Sequence, residues 1–423
     1  MIGRRWLCAR SLCAGFALLL AAACAGSSAP AEDSSSVVFY KPPPEEPEIE
    51  PAPAMPVEAA TTPAAPSDVN PFEGAKFYLD PEYAKKVDST IASVPDKAAV
   101  LKKVKGVPTA LWLDRIAAVE QVPVWLDDAA KQTKTAGKPV VPVFVVYDLP
   151  NRDCSAKASH GELTLENNGE ERYRTEFIDK IAEHFAAHSS QRIVAIIEPD
   201  SLPNVVTNLD VPKCALSQQL YKNSVAYAIA KLSLPNVHLY LDAAHAGWLG
   251  WDGNRNGIAD VFKEVLTMAG GLDRVRGFAT NVSNYNALEG DFGKKLEPTN
   301  PCPNELAYVQ KLSETLAAKG VAGKGFIIDT SRNGKADIRR TWGNWCNIKG
   351  AGLGERPRVA PVPPVDAYFW VKPPGDADGI ADPKAERFDQ NCASEDATPG
   401  APEAGHWFES YFLELVENAN PPL

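Results

Sequence analysis

Seven short apolar runs rich in β-branched residues recur along this chain, at 110–113, 141–146, 193–197, 237–241, 277–280, 325–328 and 367–371. Each is short and mostly free of apolar/polar alternation, which is the pattern of a strand buried on both faces. Between them, 172–188, 218–232, 258–269 and 305–319 place apolar residues at i, i+3 and i+4 and are bounded by Pro, Gly or Asn, as amphipathic helices are. Strand alternating with helix predicts a parallel sheet. About seven such units predict an α/β fold, a distorted, roughly seven-stranded parallel (β/α) barrel of the TIM type. The competing arrangement is an open doubly wound sheet, but no Gly-rich phosphate turn supports a nucleotide-binding version.

Upstream of these runs the sequence changes character twice. Arg4 and Arg5, an apolar stretch over 12–23 and then Cys24 have the layout of a signal peptide, so residues 1–23 read as an export signal. Ala21-Ala22-Ala23-Cys24 also resembles a bacterial lipobox, which would make Cys24 a lipidated first residue attached to the outer membrane surface. Ordinary cleavage among the alanines would instead give a free secreted protein. Residues 24–69 are Pro, Ala, Ser, Glu and Thr with few large apolar side chains, a composition that reads as a disordered, extended tether. Residues 70–423 then form one catalytic-sized domain, read as a monomer.

The net charge of −11 argues against nucleic acid or an anionic membrane surface as partner, whereas a neutral polymer is indifferent to it. Outside the signal and Cys24, five cysteines remain: Cys154, Cys214, Cys302, Cys346 and Cys392. An exported chain keeps disulfides, and the odd count leaves one thiol unpaired. No CxxC or Cys/His cluster has zinc spacing, and no metal or cofactor is expected. Asp252-Gly253-Asn254-Arg255-Asn256-Gly257 opens like a calcium loop, but Lys263 stands where the bidentate Glu belongs. His184 and His188 lack the Glu of a zincin helix and read as a solvated face.

Polar and aromatic residues gather just after the predicted strands, where barrel enzymes keep their chemistry. They are Trp112 and Asp114, Tyr147 and Asp153, Glu198 and Asp200, Asp242 with His245 and Trp248, Asn281 and Asn284, Asp329, and Lys372 with Asp376 and Asp378. Any one carboxylate there is more often a helix cap than a catalyst, but the cluster as a whole points to a site. Trp112, Trp248, Trp251, Trp342, Trp345 and Trp370 lie in or beside the same loops, and indole faces are surfaces on which sugar rings stack. Hydrolysis of a glycosidic bond needs an acid to protonate the leaving oxygen, with a second group acting on water or on the sugar. Asp200, behind Pro199 and an apolar strand, is placed to keep its proton. Asp153 on the same rim would help it do so through like-charge repulsion.

Six ordered segments give a specific resemblance. They are Tyr147-Asp148-Leu149-Pro150-Asn151-Arg152-Asp153-Cys154, Ile197-Glu198-Pro199-Asp200-Ser201-Leu202, the stretch 239–251 containing Asp242-Ala243-Ala244-His245, Asn281-Val282-Ser283-Asn284-Tyr285, Trp342-Gly343-Asn344-Trp345-Cys346-Asn347 and Phe369-Trp370-Val371-Lys372. Together they resemble glycoside hydrolase family 6, the inverting cellobiohydrolases and endoglucanases with a distorted barrel. The resemblance covers about residues 70–423 and implies cellulose or a related β-1,4-glucan as substrate. It also implies roles residue by residue. Asp200 becomes the proton donor, Asp153 its tuner and water-orderer, and Tyr147 a neighbour of the distorted sugar. Trp112, Trp248, Trp345 and Lys372 become sugar contacts, with Asp114, Asp242, His245, Asn284 and Asp376 lining the cleft. Asp378 matches an acid sometimes proposed as the base, although proton removal through a water chain is an alternative. Cys154 with Cys214 and Cys346 with Cys392 match the family's disulfides, leaving Cys302 as the odd thiol. Asp376 departs from the family's usual Glu, which retracts that carboxylate by one bond.

Exo and endo members differ in two loops that roof the cleft. Here 153–173 and 372–407 are both long, which favours a tunnel and a cellobiohydrolase acting from non-reducing ends over an endo-β-1,4-glucanase. A non-catalytic glucan-binding surface protein is the second alternative, against which both acids argue.

Overall fold

The computed structural model describes residues 55–423, so the signal, Cys24 and most of the expected tether lie outside the described residues. Seven strands run parallel: β1 Leu111–Leu113, β2 Val143–Val146, β3 Ile193–Ile197, β4 Val237–Asp242, β5 Gly277–Thr280, β6 Gly325–Asp329 and β8 Val365–Phe369. A two-residue β7, Arg358–Val359, adds an antiparallel edge beyond β8. The order β1-β2-β3-β4-β5-β6-β8-β7 makes sequence neighbours sheet neighbours, as in a barrel.

The sheet curls until its ends touch. Thr109 and Trp370 form a parallel bridge, the Ala110 N–H donates to the Trp370 carbonyl at 3.2 Å, and the Trp112 indole N–H donates to the Val371 carbonyl at 2.9 Å. That seam explains one difference from expectation. The run 367–371 becomes a strand at 365–369 because residues 370 and 371 leave β6 to meet the opposite edge. Pro142 causes a second. With no N–H to give, it splits the run 141–146, so Val140–Val141 pairs with Lys76–Phe77 while β2 begins at Val143.

Alternation along the strands supplies both layers of the core. Val143, Val145, Val194, Ile196, Tyr240, Ile327 and Phe369 face inward around the barrel axis. Phe144, Val146, Ala195, Leu239, Phe278 and Phe326 face outward beneath the helices. The predicted helix 218–232 starts earlier, as Pro212–Leu232, with proline in its first turn where the missing N–H costs nothing. The stretch 252–257 is the start of helix Asp252–Met268, with Asp252 ion-paired to Arg255, rather than a loop. The helical stretch 172–188 carries a wide turn at Tyr173–Ile178, which points the Tyr173 hydroxyl inward to Glu198 at 2.9 Å.

Residues 55–69, expected to belong to the tether, lie against the domain. Arg174 donates to the carbonyls of Met55 and Pro56 at 2.8 and 2.9 Å, Arg274 to Ala60 at 2.6 Å and Arg276 to Ser67 at 2.9 Å. A Pro/Ala-rich segment cannot satisfy its own carbonyls, and these guanidinium groups do it instead. The packed domain therefore includes residues upstream of residue 70. Among the described residues no helix is long and apolar enough to cross a membrane.

Candidate active site

A cavity of about 730 Å³ opens at the C-terminal ends of the strands. Asp153 and Asp200 both line it, and both sit in left-handed backbone, with φ of 50° and 63°. Asn and Asp tolerate that region best among side-chain-bearing residues, and clustered outliers are a mark of functional loops. Glu198, at φ 45°, locks the two turns together. Its buried carboxylate accepts the main-chain N–H groups of Asp148 and Leu149 at 3.2 and 3.1 Å, so the loop after β2 is tied to the loop after β3.

Asp200 occupies the N-cap position of helix Ser201–Thr207, yet its side chain caps nothing. The carboxyl is thus free to face the cavity, and the helix-cap explanation of this aspartate fails. Its own N–H donates to Asp242 Oδ2 at 3.0 Å, and its carbonyl accepts from Asn204 Nδ2 at 2.6 Å. Burial, followed by the charges of Asp153 and Asp242, pushes the Asp200 carboxyl well above the usual range. Burial also raises Asp153, with Arg152 opposing it, and the Tyr147 hydroxyl donates to Asp153 Oδ2. Arg152 lies 4.1 Å over the Tyr147 ring, fixing the tyrosine from behind. Asp242, directly behind Asp200, is pushed up to about 7 by burial, against the hydrogen bonds it accepts from Asp200 and Ala244.

The sequence profile described as Glycosyl hydrolases family 6 matches residues 72–419. The chain belongs to that family. Exoglucanase 3 of Agaricus bisporus is 42% identical over 357 residues, 84% of this chain and 80% of the relative. 1,4-beta-D-glucan cellobiohydrolase C of Emericella nidulans is 42% identical over 363 residues, 83% and 79% of the two chains. Among solved structures, cellobiohydrolase II of Humicola insolens in complex with glucose and cellotetraose superposes with a TM-score of 0.81. It is 40% identical, over 84% of this chain and 100% of that one.

In this family 6 chain the cavity is lined by Trp112, Asp114, Tyr147, Asp153, Asp200, His245, Trp248, Asn284, Trp345, Lys372, Asp376 and Asp378, whereas Glu198, Asp242, Asn281 and Asp329 of the strand-end cluster lie behind its lining. Trp342 lines it too, while Trp370 is fully buried with its N–H on the Glu355 carbonyl, a core role rather than a cleft one. Trp251 lies outside the lining and bonds Thr299. His245 is flanked by the amides of Asn284 and Asn286 at 3.0 and 2.8 Å, and burial lowers it to about 3, so it is neutral. At Asp378, burial raises the carboxyl but Arg332 and Lys372 overcome it, and the group ends below its usual value. Both its oxygens are engaged, by Arg332 at 2.8 Å, the Tyr285 hydroxyl at 2.8 Å and the Asn347 N–H at 2.8 Å.

Both implied disulfides form, Cys154–Cys214 and Cys346–Cys392, and Cys302 is a buried free thiol. They anchor the two long loops, which also meet. The Lys157 N–H donates to Asp389 Oδ2 at 2.7 Å. Ala158 packs on the Cys346–Cys392 bridge, where Gly379 leaves room: a Cβ there would stand 2.5 Å from that of Ala158. Sequence reading missed Lys86 and Arg387, which also line the cavity. Lys86 comes from helix Pro81–Ser93, outside the strand–helix repeat, and no strand end marks it.

Proposed function

We propose that this chain is an inverting cellulase that works as a cellobiohydrolase, releasing cellobiose from the non-reducing ends of β-1,4-glucan. The observation that carries the exo reading is the joined roof: two disulfide-anchored loops that meet over the strand ends through Lys157 and Asp389. A roofed site admits a chain end and impedes internal attack. The names of the Agaricus, Emericella and Humicola relatives support the same reading.

Asp200, kept protonated by burial and by its carboxylate neighbours, gives its proton to the leaving glycosidic oxygen. Asp153, anchored by Tyr147, provides negative charge for the oxocarbenium-like transition state and orders the attacking water. Asp378, with its oxygens committed to Arg332, Tyr285 and Asn347, acts as a fixed negative charge. The water's proton then leaves through a water chain rather than directly to Asp378. Trp112, Trp248 and Trp345 supply stacking faces, and Lys372, over the Trp112 ring at 5.6 Å, supplies a donor to sugar hydroxyls. Export by the N-terminal signal, with a lipid on Cys24 as surface anchor, completes the reading. Fatty-acid label entering wild type and Cys24→Ala alike would remove the anchor.

The test is chromatography of the soluble products released from acid-swollen cellulose by the purified protein. Cellobiose dominating from the earliest time, with slow viscosity loss on a soluble cellulose derivative, is expected. A ladder of longer oligomers would make it an endoglucanase, and no product would leave a glucan-binding protein.

A further inference from the structure

Lys86 reaches into the cavity from helix Pro81–Ser93, which is not part of the barrel. Its ammonium bonds both oxygens of Asp376 at 2.7 and 2.9 Å and lies 6.0 Å from the centre of the Trp407 ring. The Lys86 side chain is 36% exposed and that of Asp376 11%, so the carboxylate is covered while the lysine side chain still meets open space. An ammonium has three N–H donors and no acceptor. Two are spent on Asp376, and the third meets no acceptor among the described residues.

Position tells what the third donor can meet. Asp376 stands on the turn that follows Lys372, and Lys372 lies over the face of Trp112. Lys86, Asp376, Lys372 and Trp112 all line the cavity, the first two joined by an ion pair and the last two by the 5.6 Å contact. The Asp376 carboxylate is met by a lysine that itself lines the cavity.

We propose that Lys86 is a substrate-binding residue, with Asp376 as its positioning partner, and that its free N–H holds a hydroxyl of the glucosyl unit stacked on Trp112. Asp376 reaches the sugar through Lys86. This rests on the hydrolytic reading above and deepens it, because a donor at the Trp112 end sets how firmly a short product is retained. No bond is made or broken, and a neutral equatorial hydroxyl is the group recognised.

The experiment compares wild type, Lys86→Met, Lys86→Arg and Asp376→Ala for cellobiose binding by calorimetry and for cellobiose inhibition of hydrolysis. Lys86→Met keeps the packed stem and removes the donors. Its dissociation and inhibition constants should rise by roughly tenfold to a hundredfold, as expected for losing a charged hydrogen bond. Lys86→Arg should recover part of the loss, and Lys86→Met combined with Asp376→Ala should be no weaker than either alone. If Lys86→Met lowers the melting temperature while both constants stay within twofold, the pair only staples the helix to the roof loop and the proposal is overturned. If wild type neither binds cellobiose nor cleaves any β-1,4-glucan, the hydrolytic reading fails, and this inference fails with it. Wild-type binding that Lys86→Met leaves intact defeats this inference alone.

Discussion

The main-chain N–H of Lys157 donates to Asp389 Oδ2 at 2.7 Å, joining two loops 232 residues apart in sequence. Asp389 also caps its own turn, accepting from the Asn391 N–H through Oδ1 at 2.9 Å, so one carboxylate shapes one roof loop and holds the other. Asp389→Ala should free the loops from each other while the disulfides keep each rooted. The expected outcome is a rise in the share of oligomers longer than cellobiose and faster viscosity loss per bond cut. An unchanged product ladder would show that packing of Ala158 on the Cys346–Cys392 bridge suffices.

Burial, Asp153 and Asp242 all disfavour the Asp200 anion and push its carboxyl above the usual range. Asp200→Ala should lower hydrolysis of substrates with poor leaving groups by roughly 10²–10⁴-fold while glucan still binds. The sign for Asp153→Asn follows from repulsion. Without that charge the Asp200 carboxyl falls, and the alkaline limb of the kcat profile should move to lower pH. A limb that stays put would show that burial alone holds the proton.

The strand positions were legible because buried parallel strands are written as unbroken apolar runs, and the cavity-lining Asp153 and Asp200 because each stands in the loop that follows such a run. What escaped reading belongs to contacts that periodicity does not encode. Lys86 lies on a helix before the first strand, and Asp389 lies within a long irregular loop. Both acquire their place only when distant segments fold together. Trp370 was misplaced for a related reason: it ends a predicted strand as cleft residues do, but the barrel closes through it, which carries its ring into the core. Residues 55–69 were read as tether because composition measures what a segment can bury by itself and does not see three arginines, Arg174, Arg274 and Arg276, waiting for its carbonyls.

Gly247 packs against the face of Trp342, where an added Cβ would stand 1.6 Å from ring carbon Cε3. Trp342 lines the main cavity, by far the roomier of the two spaces beside its ring. Gly247→Ala should therefore displace the indole into the cavity, destabilise the fold by about 1–3 kcal/mol and raise KM for cello-oligosaccharides. Wild-type KM together with a wild-type melting temperature would place the slack elsewhere.

Asp148 is fully buried in the loop that carries Asp153, with neither carboxylate oxygen hydrogen-bonded among the described residues and Arg152 Nη1 at 3.6 Å. Burial pushes it up to about 9, despite Arg152 and with some help from the charge of Glu198, and burial likewise raises Glu198 to about 8. A carboxyl raised on folding keeps a proton that the unfolded chain has already released. Its contribution to stability is whole below the ordinary carboxylate range and is lost as pH rises toward the folded value. The protein should thus lose stability from about pH 5 to about pH 9, each such group adding up to about 1.4 kcal/mol per pH unit inside its window. Asp148→Asn preserves shape and removes one titration, so its melting temperature should fall less steeply over that range than wild type's. Parallel slopes would mean that Arg152 keeps Asp148 ionised throughout, and the buried ion pair would then be the state in which Arg152 holds Tyr147 against Asp153.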